Sequence, residues 1–378
     1  MKKENYKTQI IVSGEYALKE VSGILADLKA KHVLAVCSRS AIRHYGVEFL
    51  EEFSGDITFF HEFSSNPRYE EVEEGIAVFE KEQCDTIVSL GGGSAMDVAK
   101  CIKLFATMDK SFNYLQQEKK QNQIRHIAIP TTAGTGSEST SFAVIYYQGE
   151  KQSVAHESIL PDYAILHAGF LEKLPLYQKR ATVLDALCQG IESYWSVNST
   201  EESKQYAAKA IQGIKEHLES YILENKGWEQ IMLAANQAGR AINISRTTAA
   251  HAMSYKITSF YQFAHGHAVA LCLPETWKYM SEHLERCIDT RGKAYLEQVL
   301  EELNQLLGKK DTASAIAWFL NVIDKMELEY PVQNKQEELE ILVSSVNVER
   351  LSNFPVQLEA KDLREMYQEI LKTSDTLE

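Results

Sequence analysis

The stretch HAMSYKITSFYQFAHGH, residues 251–267, carries three imidazoles, at His251, His265 and His267. Imidazole nitrogen binds divalent cations of the Fe2+ and Zn2+ kind, usually together with carboxylate oxygen. A carboxylate with a partner lies upstream in VLDALCQGIESYW, where Asp185 and Gln189 stand four apart and share one helix face. If the chain turns around YQFAHG, His251 and His265 converge, and the four residues could hold one ion. Helical histidines more often serve as hydrogen-bonded core or surface residues, so the spacing alone leaves both readings open.

A second set of residues suits an anion. In VSLGGGSAMDVAK, Gly91 to Gly93 and Ser94 lie between a strand-like run and a helical one. Glycine lets backbone approach a phosphate closely, and the following helix start offers unpaired N–H groups and partial positive charge. A tight strand-to-helix turn would use the same residues. PTTAGTGSE, residues 130–138, follows another strand-like run, and two such loops at carboxyl ends of one sheet suggest a dinucleotide crevice. The spacing is not GxGxxG, so an ordinary Rossmann fingerprint is absent. HVLAVCSRSAIR ends its strand on Ser38 and Arg39, with Arg43 a turn later and no acid within the stretch. That favours NADP(H), whose 2′-phosphate an arginine accommodates, over NAD(H), unless these arginines are merely solvated.

These residues need a scaffold. Across the first half, short β-branched runs (TQIIVSG, HVLAVCS, DITFFHEF, DTIVSLGG, RHIAIP, YAILHA) alternate with amphipathic stretches such as ALKEVSGILADLKAK, SAIRHYGVEFLEEF and YEEVEEGIAVFEKEQ. The pattern predicts a parallel sheet covered on both faces. SFAVIYYQGEKQSVAHE reads as a hairpin around QGEK. From about residue 176 nearly every segment has three-to-four-residue apolar spacing, as in QKRATVLDALCQGIESYWS and WEQIMLAANQAGRAINIS, which predicts helices. We therefore expect an α/β nucleotide-binding domain over 1–175 and an all-helical metal-binding and substrate domain over 176–378.

Composition narrows the function classes. The 378 residues exceed one ordinary core. With 53 acids against 39 bases, the formal charge of −14 disfavours nucleic acid and anionic lipid as partners. Six scattered cysteines form no CxxC pair, as expected in a reducing compartment. No segment reads as a signal peptide, and none approaches the roughly 18 apolar residues of a membrane span. A cytoplasmic location follows as the expectation.

Taken in order, Asn66-Pro67, GGGSAMDVAK, PTTAGTGSE, Lys151 in the hairpin, Leu160-Pro161, DALCQGIESY and HAMSY followed by AHGHAVALCLP resemble the iron-containing, or group III, alcohol dehydrogenases. The match runs from about residue 8 to residue 280. The resemblance implies the dehydroquinate-synthase-like fold, a nicotinamide cofactor and a divalent metal, Fe2+ or Zn2+, with a homodimer as the expected assembly. It places Gly92, Gly93, Ser94 and Asp97 along the cofactor's phosphates and ribose and Thr131, Thr132 and Thr135 in a second cradle. Lys151 and Asn66 contact the nucleotide. Ser38 falls where NADH-preferring members tend to carry Asp. Asp185, His251 and His265 fall on metal-ligand positions.

Three departures stand out. Gln189 replaces the usual His of DxxxH and is a weaker ligand. Tyr255 stands where many members carry a second His; it either relays a proton or packs. His167 in YAILHAG replaces an acid common after the last sheet strand. Arg246 and Lys256 flank His251, and two cations there suggest an acidic substrate, although either could be a solvated charge. These segments look most like the phosphonoacetaldehyde reductase branch. The expected reaction is hydride transfer to a small, anionic aldehyde, with protonation through Tyr255, His267 or water; His267 could equally be structural. A dehydroquinate-synthase-like lyase and a metal-free nucleotide-binding relative are the alternatives.

Overall fold

A computed structural model of the chain describes residues 1–333, 335, 337–347 and 351–373. It divides into two compact units: Met1–Leu174 with Asn225–Gly239, and Pro175–Glu224 with Arg240–Glu378.

The first unit is built on a sheet of β1 (Lys2–Tyr6), β2 (Gln9–Ser13), β3 (His32–Cys37), β4 (Asp56–Phe60), β5 (Thr86–Gly91), β6 (Arg125–Pro130) and β9 (Tyr163–Leu166), in the spatial order β1, β2, β9, β6, β5, β3, β4. All neighbours run parallel except the edge pair β1 and β2. Strands covered on both faces bury residues of both parities, and β3, buried from Val33 to Cys37, shows how. Val33, Ala35 and Cys37 join a cluster with α1 (Glu20–Asp27) and α2 (Arg39–Tyr45), while Leu34 and Val36 join another with α3 (Tyr69–Lys81) and α4 (Gly93–Phe105). β7 (Phe142–Tyr147) and β8 (Glu150–Ala155) form the expected hairpin, turning at Gln148 and Gly149 with φ of 52 and 81°.

Two local readings change. The polar MKKENY start forms β1, which is four-fifths exposed and is held by antiparallel pairing with β2 rather than by burial. SAIRHYGVEFLEEF is not one helix: α2 stops at Gly46, whose φ of 69° ends it and whose N–H donates to the Ile42 carbonyl. A short 3-10 turn, Glu48–Leu50, follows.

Sequence order reverses between β3 and β5, since β4 lies outside β3 while β6 and β9 continue past β5. In open α/β sheets the carboxyl ends at such a point frame a crevice. Here they carry Ser38 and Gly91, joined by the Ser38 N–H donating to the Leu90 carbonyl at 3.0 Å.

Residues 225–239 belong with this unit for identifiable reasons. The Asn236 amide donates to Glu138 Oε1 at 2.9 Å and Ser139 Oγ at 2.7 Å. Gly239 lies so close to Gly136 that a Cβ on it would come within 2.5 Å of the Gly136 carbonyl oxygen.

The second unit is helical: α5 (Leu176–Trp195), α6 (Glu201–Leu223), the end of α7 (Trp228–Ser245), α8 (Ala249–Tyr261), α9 (His265–Glu282), α10 (Lys293–Leu307), α11 (Thr312–Lys325) and two shorter helices, Glu337–Ser344 and Ala360–Ile370. Its β structure among the described residues is a two-residue parallel pairing of Val332–Gln333 with Lys372–Thr373 and an isolated antiparallel bridge between Cys287 and Val356. α5 is buried along an unbroken run, Val183–Ser193, so its polar residues Asp185, Gln189 and Glu192 must find partners inside the protein. Among the described residues no helix is long and apolar enough to cross a membrane.

Candidate functional site

Asp185, Gln189 and Glu192 recur at offsets of four and three, which puts them on one stripe of α5. Two helix starts are presented to that stripe: His251 sits in the first turn of α8, and His265 is the first residue of α9. Gly266 permits the approach, because a Cβ there would lie 2.0 Å from the Ala181 carbonyl oxygen and 2.6 Å from Asp185 Cβ.

The result is a buried cluster. One ligand atom each from Asp185, His251 and His265 lies within 4.8 Å of the others. His251 Nε2 is 3.3 Å from Asp185 Oδ1, and the His251 Nδ1–H donates to Glu192 Oε2. Burial disfavours the His251 imidazolium, but Glu192 and Asp185 outweigh it and push the group up to about 9. Burial likewise works against the Asp185 carboxylate, yet a hydrogen bond from His251, the His265 and His251 charges and the Gln189 amide hold it below its ordinary range.

Gln189 has a buried Oε1 without a hydrogen-bond partner. A carboxylate, two imidazoles and an orphaned amide oxygen form an oxygen and nitrogen donor set that fits a divalent cation such as Fe2+ or Zn2+. Tyr255, one turn beyond His251, stacks on His265 with ring centroids 5.7 Å apart and planes at 11°.

His267 is not brought to this cluster. Its Nδ1 is 3.0 Å from the Tyr177 hydroxyl, its Nε2–H donates to the Glu329 carbonyl at 2.8 Å, and its ring stacks on Phe263 at 4.2 Å. Two residues along a helix swing a side chain by about 200°, which is why the neighbour of His265 faces elsewhere. Tyr177 also accepts from the Ala264 N–H, so His267 helps fasten the start of α9. Arg246 occupies the α7–α8 connection at φ 64°, half-buried, and burial pulls its guanidinium down; Lys256 follows Tyr255 on α8.

The first unit holds the second set. α4 begins at Gly93, and its cap residue Gly92 offers no side-chain acceptor to the first-turn N–H groups. A Cβ on Gly92 would meet Thr132 at 3.6 Å, and one on Gly93 would meet Thr135 at 3.1 Å, so the two small-residue loops face each other. The Thr131 N–H donates to the Gly91 carbonyl at 2.9 Å. Ser94 Oγ donates to the Ser65 carbonyl, and Ser64 Oγ to that of Asn66, which draws the Asn66 loop to the same helix start. Ser38 caps α2, its Oγ accepting from the Ala41 N–H at 3.2 Å.

Asp97 is engaged by the protein itself. Its oxygens accept from Ser137 Oγ at 2.8 Å and the Val144 N–H at 3.0 Å. Burial pushes it up despite the charges of Lys100 and Lys151. The fully buried Lys100 donates to Ser137 Oγ, Thr140 Oγ1 and the Phe142 carbonyl, each at 2.9 Å.

The residues around Arg39 include an acid that its own sequence stretch does not. Arg39 Nη2 pairs with Glu62 Oε2, which follows β4 in the sheet position beside β3. Sequence reasoning also passed over Glu192, Lys100, Glu138 and Asn236. For the first two a signal existed, since each is a charge within an otherwise buried helical run.

The family model of iron-containing alcohol dehydrogenase matches residues 8–168, and that of the Fe-containing alcohol dehydrogenase family's C-terminal part matches residues 179–371. NAD-dependent methanol dehydrogenase of Bacillus methanolicus is 32% identical over 274 residues, 70% of this chain and 72% of that enzyme. Phosphonoacetaldehyde reductase of Streptomyces viridochromogenes is 31% identical over 249 residues, 62% of this chain and 63% of that enzyme. Sulfoacetaldehyde reductase from Bifidobacterium kashiwanohense, solved in complex with NAD+, shares the fold with a TM-score of 0.86 at 24% identity, covering 98% of this chain and 99% of that one.

Proposed function

We propose that this chain, which belongs to the iron-containing alcohol dehydrogenase family, reduces a small, anionic aldehyde using a nicotinamide cofactor and a divalent cation held by Asp185, His251, His265 and Gln189. The observation that carries the reading is the cluster of three ligand atoms within 4.8 Å, beside a buried amide oxygen that has no other partner. When bound, the cation supplies Lewis acidity toward a carbonyl oxygen and the nicotinamide supplies hydride.

The chain's own residues do the rest. Asp185 contributes one negative charge and the two imidazoles none when neutral, so a divalent cation at this site keeps a net positive charge. Tyr255, stacked on His265, is the residue we assign to hold or pass a proton at its hydroxyl. Arg246 and Lys256 are assigned to an acidic group on the substrate, a reading supported by the phosphonate in the substrate for which one relative, phosphonoacetaldehyde reductase, is named. Gly92, Gly93, Ser94, Thr131, Thr132 and Thr135 would cradle the cofactor's pyrophosphate through backbone N–H and hydroxyl groups, with Asn66 and Lys151 beside them. The bonds already made by Asp97 assign it to holding Ser137 and the hairpin. Arg39 supports NADP(H) over NAD(H), although it must first leave Glu62.

The test is an aldehyde panel that includes phosphonoacetaldehyde, followed by NADPH and NADH absorbance with and without added Fe2+, Zn2+ and Mn2+. Metal-stimulated turnover of anionic aldehydes above neutral ones of equal length is expected. No turnover of any aldehyde under any metal would overturn the reading.

A further inference from the structure

Glu192 is a wholly buried carboxylate that the family reading leaves without a task. Its two oxygens are divided. Oε1 accepts from Thr248 Oγ1 at 2.7 Å and from the N–H groups of Thr248, Ala250 and His251 at 3.2, 3.0 and 3.4 Å. That oxygen caps the start of α8 from outside, because Thr248, the cap residue itself, makes no capping bond. Capping needs one oxygen only. The other, Oε2, is taken by the His251 ring at Nδ1.

This division has a chemical consequence. Glu192 and Asp185 are seven residues apart on one face of α5, two turns or about 10 Å. The His251 ring spans that gap, with Nδ1 on Glu192 and Nε2 towards Asp185. A carboxylate only accepts, so Glu192 holds a proton on Nδ1; once a cation takes the place of the Nε2 proton that faces Asp185, Nε2 is the atom that can give its lone pair. We propose that Glu192 is a positioning residue that fixes the tautomer and direction of His251, so that Nε2 faces the cation site. The proposal rests on the metal reading above and adds to it the group that prepares one ligand.

Glu192→Gln separates this role from capping. The amide oxygen can still accept the α8 N–H groups, but the amide nitrogen would donate to Nδ1 and drive the proton to Nε2. Cation affinity is measured on the full-length protein by competing Zn2+ against a chelator and by the visible spectrum of Co2+, with thermal melting as the control for folding. E192Q should melt near the wild type, bind Zn2+ about 10–100-fold more weakly and give an altered Co2+ spectrum. Glu192→Asp, which keeps the carboxylate, should recover part of the loss.

Wild type that binds Zn2+ and E192Q that binds it within twofold would overturn the proposal while leaving the metal reading standing. Wild type that binds no Zn2+ would overturn both. If E192Q fails to fold, 15N-histidine NMR of the Zn2+-loaded wild type decides: a proton on His251 Nδ1 supports the proposal, and one on Nε2 overturns it.

Discussion

Gly266 and Asp185 are in contact through the one place where a side chain is missing: a methyl group on Gly266 would lie 2.6 Å from the Asp185 Cβ. The glycine sets how near His265 comes to the carboxylate. Gly266→Ala should cost about 1–3 kcal/mol of stability, as overpacking does, and weaken cation binding. Urea melts and Zn2+ titration check both effects.

His265→Ala removes an imidazole from the cluster and should lower cation affinity at least about 100-fold, beyond the usual loss for an outer partner. NADPH binding, followed by fluorescence, should survive, because the proposed cradle lies wholly within the first unit. Full turnover by this variant would exclude a metal role.

Arg39 and Glu62 make an exposed ion pair, 65 and 55% accessible at the side chain, of a kind worth about 0–1 kcal/mol. Glu62→Gln should therefore raise the ratio of kcat/KM for NADPH over NADH by no more than about fivefold. Arg39→Asp should shift preference toward NADH. Unchanged constants for both cofactors in both variants would show that neither side chain reads the 2′-phosphate.

His267→Phe removes a ring whose two nitrogens are engaged by Tyr177 and Glu329. A loss of about 1–3 kcal/mol is expected from the buried groups left unpaired. The pH profile of kcat should keep its shape, in contrast to that of Tyr255→Phe.

Lys100 supplies a pH dependence. Burial pulls its ammonium down to about 8, against 10.5 for an ordinary lysine, although Asp97 and Glu138 oppose the shift. The folded state thus gives up this proton before the unfolded state does. Between about 8 and 10.5 the unfolded chain binds more protons, so stability rises with pH across that window. The cost of burying the charge is fully present below 8. The stability of wild type minus that of Lys100→Met should climb over this interval; a flat difference would mean that Lys100 titrates alike in both states.

The sequence made the parallel sheet and the run of helices legible because burial on both faces leaves unbroken apolar strands, whereas burial on one leaves a 3.6-residue stripe. The association of Asp185, His251 and His265 came from family resemblance more than from spacing, since 66 residues part the first two. The buried run of α5 marks Glu192 as a charge in need of a partner, but its partners lie in α8, and nothing local to α5 names them. The Glu62 pairing escaped for a related reason: β3 and β4 lie side by side in space, but Arg39 and Glu62 are 23 residues apart in the chain. His267 misled through proximity in sequence to His265, where helical rotation separates the two.

The return of residues 225–239 to the first unit bears on biogenesis. A ribosome that has released only the first 174 residues has made every strand of the main sheet but not Asn236 or Gly239, so Glu138, Ser139 and Gly136 emerge without their covering helix. The first unit reaches its final form only after α5 and α6 have been translated, and a gene cut at residue 174 would yield a fragment with an uncovered polar flank.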